Sequence, residues 1–96
     1  MILVRDIFQA KYGKGDELVA LFKEVREKWG ADYASCILTD LSGLFFTVVV
    51  ETEVESLVEW ERRRTEIFAL PEFGEWFARM TPLVESGRRE FYNIEK

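Results

Sequence analysis

Residues 2–9, ILVRDIFQ, are apolar on both parities: Ile2, Val4 and Phe8 on one, Leu3 and Ile7 on the other. That pattern predicts a strand covered on two faces. KYGKGD then reads as a turn into a helix, with Asp16 as its N-cap and Glu17 favourable in the first turn. Leu18, Leu21, Phe22, Val25 and Trp29 recur at helical spacing, and Gly30 is a suitable terminator. YASCILT (33–39) predicts a second strand, DLSG (40–43) a tight turn and LFFTVVVE (44–51) a third strand, again apolar on both parities. A helix follows from about Val54 to Leu70, with an apolar stripe of Leu57, Trp60, Ile67 and Phe68. Pro71 ends it and begins another, striped by Phe73, Trp76, Phe77 and Met80 and stopped by Pro82. GRREFYNIE (87–95) closes the chain as a fourth strand.

The order β-α-β-β-α-β over a single domain, 1–96, predicts an α+β fold. Two crossovers around a hairpin give a four-stranded antiparallel sheet with strands one and three central and the helices on one face. The other face then keeps large apolar side chains that cannot be left in water. The same face of a second copy is the simplest cover, so the pattern predicts a face-to-face homodimer.

Composition narrows the function. A hydrophobic fraction of 48% is enough for a packed core. The net charge of −5 disfavours nucleic acid and anionic membrane surfaces as partners. The longest apolar run, Leu44 to Val50, is too short to span a bilayer, and MILVRDIFQA has no signal-peptide pattern, so the expected compartment is the cytoplasm. Cys36 is the only cysteine and there is no histidine. This removes Ser-His and Cys-His nucleophile pairs, the usual haem ligand and most zinc sites, and no cofactor is called for. Glu51, Glu53, Glu55, Glu59 and Glu61 read as a solvated acidic surface, and no metal site is expected.

The residue that breaks the pattern is Arg64, placed in the middle of an apolar helix stripe. Burying a charge there is costly unless it is paired. It meets a core carboxylate, Asp6 or Glu90, or snorkels so that its head reaches solvent, or binds the anionic group of a ligand between helix and sheet. Arg5 and Asp6 must point to opposite faces of the first strand, one toward the helices and one toward the open face. Ion pairs with Arg88, Arg89 or Glu90 that fix register are one reading of these two residues; the other makes Asp6 a weak candidate for a general base. Trp60, Trp76 and Tyr92 could wall a pocket for a flat apolar ligand, although aromatics at helical spacing more often serve the core.

KYGK at 11–14 and ESLVEWERRRTEIFALPEFGEWFARMTPLV at 55–84 carry a resemblance. The second run is similar to an E-R-x-R-R helix, then Pro-Glu-aromatic, then Pro-Leu-Val before the last strand, as in NIPSNAP-type domains. These lie within the dimeric α/β-barrel superfamily of ferredoxin-like subunits, which also holds antibiotic-biosynthesis-type monooxygenases. Tyr12, Phe73 and Thr81 depart from the family pattern. The resemblance implies a small-molecule-binding homodimer, with cofactor-free monooxygenase or isomerase chemistry as one expectation. A non-catalytic assembly module is the alternative. SGLFFTVV does not match the aromatic motif of RNA-recognition domains, because Ser42 and Leu44 stand where a basic and an aromatic residue are needed.

Overall fold

Two long strands at the centre of one sheet set the rest of the architecture. A computed structural model describes residues 1–96. β1 (Ile2–Ala10) pairs antiparallel with β3 (Thr47–Val54) and with β4 (Val84–Asn93), and β3 pairs with the short β2 (Cys36–Thr39). The strand order is β2-β3-β1-β4, so β1 and β3 are central, as their double-sided apolar pattern requires. α1 (Gly15–Trp29), α2 (Leu57–Phe68) and α3 (Pro71–Met80) supply the crossovers. No helix is long and apolar enough to cross a membrane.

Register assigns every side chain to a face. Val4, Asp6 and Phe8 of β1 stand opposite Thr52, Val50 and Val48 of β3 and face the helices. Arg5 and Ile7 stand opposite Glu51 and Val49 on the open face. The core lies between the helix-facing side and α1 and α3: Leu18, Leu21, Phe22 and Val25 of α1 close over Val48 and Val50, with Trp76 and Met80 of α3. Spacings of three and four residues make those side chains one stripe on each helix. The Trp76 indole N–H donates to the Leu21 carbonyl at 2.8 Å, so its polar edge is satisfied inside the core.

Several boundaries differ from the sequence expectation, each for a local reason. α1 begins at Gly15, with Lys14 in the capping position, not Asp16. A Cβ on Gly15 would lie 3.1 Å from the Phe46 ring, so the helix starts where only glycine passes easily. β2 is shorter than expected because Ala31–Tyr33 form a 3-10 turn. β3 begins at Thr47, since Phe46 takes a left-handed backbone (φ 59°) and residues 40–46 become a loop. Asp40 closes that loop: its Oδ1 accepts from the Thr47 N–H at 3.0 Å. α2 begins at Leu57, because Ser56 accepts the Glu59 N–H at 3.2 Å and caps it, while Val54 ends β3. β4 starts at Val84, and a bulge at Glu85 absorbs one residue between the Gln9–Ser86 and Ala10–Val84 pairs.

Candidate functional site

α2 does not pack as its stripe suggests. Ile67 is its one buried residue, and Leu57 and Phe68 are more than half exposed. The helix stands off the sheet, and a cavity of about 230 Å³ lies between it, the helix-facing strands and α3. The inner wall is apolar, with Phe22, Val25, Val50, Phe73, Trp76 and Met80. Aromatic contacts run along it: Phe22 to Trp76 at 5.4 Å, Phe73 stacked on Trp76 at 5.7 Å and Phe68 to Phe73 at 4.7 Å between ring centres. The polar lining is concentrated in Asp6, Asp32, Arg63, Arg64 and Arg89, with Thr52 and Tyr33.

The three arginines differ in what holds them. Arg89 is bound to Asp6, with Nε to Oδ1 at 2.5 Å and Nη2 to Oδ2 at 3.3 Å, a two-pronged pair between neighbouring strands. Arg63 donates from Nε to Glu59 at 3.3 Å and from Nη1 to the Asp32 carbonyl at 3.4 Å. Arg64 makes one hydrogen bond, from Nη2 to Glu61 Oε2 at 2.9 Å. Its guanidinium carbon lies 5.0 Å from the centre of the Trp60 ring and 5.8 Å from that of Phe68. Arg89 approaches the same Trp60 ring at 4.9 Å, and Phe91 meets it edge-on at 5.1 Å. An indole face attracts each cation electrostatically, so Trp60 fixes both guanidiniums at the cavity rim.

Arg64 is therefore neither a core charge nor the partner of Asp6 or Glu90. Its side chain is 39% exposed, and Glu61 at 56% is a surface partner one turn away. Because α2 stands off the sheet, the middle of its stripe opens onto a cavity rim, and the arginine reaches solvent there. Of Arg5 and Asp6 it is Asp6 that faces the helices, and both its oxygens accept from Arg89.

Trp60, Trp76 and Arg64 line one cavity, and Tyr92 is not with them. Tyr92 pairs with Leu3, which places it on the open face, where its hydroxyl donates to Glu90 Oε1 at 2.8 Å. The expected wall failed by one residue of strand register: Phe91, not Tyr92, faces the helices and meets Trp60. Arg89 and Arg63 also line the cavity; the sequence offered Arg89 only as an ion-pair partner for the first strand and did not offer Arg63 as a cavity residue. The strand alternation from Asp6 and its pairing partners carried the signal for Arg89; nothing in the sequence marked Arg63 above Arg62.

The open face carries a charged row across its middle. Arg5 Nε lies 2.9 Å from Glu51, off the line of a good hydrogen bond, and Arg5 Nη1 lies 3.9 Å from Glu90. Arg88 reaches Glu90 at 3.0 Å. The Tyr92 hydroxyl first and Arg88 second hold the Glu90 carboxyl below the usual carboxylate range. On either side of the row lie apolar side chains: Leu3 and Tyr92 on one, Ile7, Val49 and Leu38 on the other.

With this geometry in view, comparison with known proteins is informative about fold. No family model matches the chain, and no curated protein matches it. Solved structures do. A NIPSNAP domain protein from Burkholderia xenovorans superposes with a TM-score of 0.86 at 18% identity, over 99% of this chain and 95% of that one. A NIPSNAP family protein from Agrobacterium tumefaciens gives 0.85 at 19% identity, over 96% and 90%. A candidate antibiotic biosynthesis monooxygenase from Deinococcus radiodurans gives 0.65 at 16% identity, over 100% and 94%. The chain thus has the ferredoxin-like fold seen in these NIPSNAP domain structures.

Proposed function

We propose that this protein binds a small apolar, partly anionic molecule in the cavity between α2, α3 and the sheet. The observation that carries the reading is that α2 stands off the sheet and leaves an aromatic-lined cavity with Arg64 at its rim. A pure assembly module has no use for that space, since well-packed interiors have few voids larger than a water molecule. A concave apolar site with a few convergent polar groups is the usual form of a small-molecule site.

A second reading, oxygenase chemistry on the bound molecule, draws on the monooxygenase description of the Deinococcus relative. There the substrate anion would itself react with oxygen, and the protein would supply orientation and desolvation. Asp6 is the carboxylate nearest such a role, but its engagement with Arg89 favours binding over proton abstraction. The apolar patches on the open face support a second copy of the chain as its cover.

Amide chemical shifts of the labelled protein, followed during titration with toluene and with benzoate, test the binding reading. Shifts concentrated on the cavity lining are expected, in α2 and α3, around Phe22 and Val25 of α1, and on the helix-facing residues of β1, β3 and β4. Shifts scattered over the surface, or none with either compound, would overturn it.

A further inference from the structure

We infer that the cavity selects a single-ring aromatic monocarboxylate, held by Arg64 with its ring inside; this rests on the binding reading above and names its ligand class. Four observations converge.

The first is donor capacity. Arg89 and Arg63 each spend two donor groups on acceptors of this chain. Arg64 spends only one N–H, on Glu61, and four of its five remain for a ligand. A planar fork with adjacent free N–H groups matches the two oxygens of a carboxylate.

The second is charge. Arg89 is matched by Asp6 and Arg63 by Glu59, while Arg64 has only the exposed Glu61, which a ligand anion can displace. Exchanging one carboxylate for another leaves the charge balance of the site unchanged, whereas a phosphate dianion would add an uncompensated negative charge in a largely apolar site.

The third is shape. The inner wall is built of aromatic rings, with Phe73 stacked on Trp76 and Phe22 tilted against Trp76. Flat walls make their best contact with a flat ligand, whereas a flexible acyl chain would have to give up rotamer entropy to lie against them.

The fourth is size. At about 230 Å³ the cavity is smaller than the roughly 300 Å³ at which sites for drug-sized ligands begin, so one ring fits and a fused polycycle does not.

Glu61 is the resident counter-ion of Arg64. A bound carboxylate would take over part of its role, and the exposed Glu61 would turn to solvent at little cost.

The test compares benzoate, benzamide, phenyl phosphate and butyrate by isothermal titration on the full chain, with toluene as the ring without a head group. Benzoate is expected to bind about tenfold or more tightly than benzamide, the difference expected of a charge-assisted pair. Phenyl phosphate and butyrate should each bind more weakly than benzoate. In Arg64→Gln the advantage of benzoate over benzamide should vanish while benzamide affinity holds; in Arg64→Lys it should not be fully restored. Glu61→Gln should tighten benzoate. Equal affinity for benzoate and benzamide, or phenyl phosphate binding most tightly, or butyrate matching benzoate, would overturn the ligand class and leave the binding reading standing. Binding of none of the five, toluene included, would overturn both. Because Arg64 is at the surface, circular dichroism should report each variant folded, and loss of benzoate selectivity in a folded Arg64→Gln is then a ligand effect.

Discussion

At the scale of single residues, two arginines that look alike in sequence have opposite structural weight. Arg64 pairs only with a surface carboxylate, and exposed pairs of that kind contribute little. Arg89 holds both oxygens of Asp6 on the helix-facing side of the central strand. Removing it leaves that carboxylate facing an apolar cavity without a partner. In urea unfolding, Arg64→Met should change stability by less than about 1 kcal/mol. Arg89→Met should cost about 1–2 kcal/mol, below the figure for a fully buried pair because Arg89 itself is 40% exposed. A loss from Arg64→Met as large as that from Arg89→Met would show that Arg64 serves a core carboxylate after all. The sequence placed Arg64 within an apolar helix stripe. It could not say that the stripe it interrupts opens onto a cavity, because that depends on how far α2 stands from the sheet.

Among the elements, α2 carries the densest set of ion pairs, all of them within the helix itself. Glu59 occupies its first turn, where Ser56 caps its N–H, and its carboxylate accepts from Arg62 and from Arg63. The Arg62 hydrogen bond first, with Arg63 adding to it, lowers the Glu59 carboxyl to about 2. Glu24 on α1 is lowered in the same direction by its pair with Arg79 of α3. A carboxyl depressed in the folded state adds stability above its ordinary value, and that contribution is lost as pH falls through the folded value. Melting temperature should therefore drop as pH is lowered from about 5 toward about 2, and Glu59→Gln should show a shallower drop over the same range. Parallel curves for the two proteins would remove Glu59 from the account. The strands and helices themselves were legible in the hydrophobic periods. Their ends were not: the Ser56 cap lay unused in the spacing Ser-x-x-Glu, and the left-handed Phe46 that delays β3 has no mark in the sequence.

For the whole molecule, the question is what covers the open face. Ile7, Val49 and Leu38 form an apolar patch there beside the Arg5 row, and the adjoining loop exposes Leu41 and Leu44. Light scattering should find a dimer. Ile7→Glu, which sets a charge in the patch without touching the helix-side core, should give a folded monomer. A monomeric wild-type protein would remove the second copy from the proposal.

The sequence by itself determined the element order, the central placement of β1 and β3, and the division of Arg5 and Asp6 between two faces. Periodicity and strand alternation are local rules that need no partner. Only the tertiary structure decided which side chains meet. Tyr92 went to the open face and Phe91 to Trp60 because register across β1 and β4 sets every pairing at once. Arg89 reached Asp6 from 83 residues away, and the cavity exists because α2 buries Ile67 alone. Distances between elements come from packing the whole core, and no single segment carries that information.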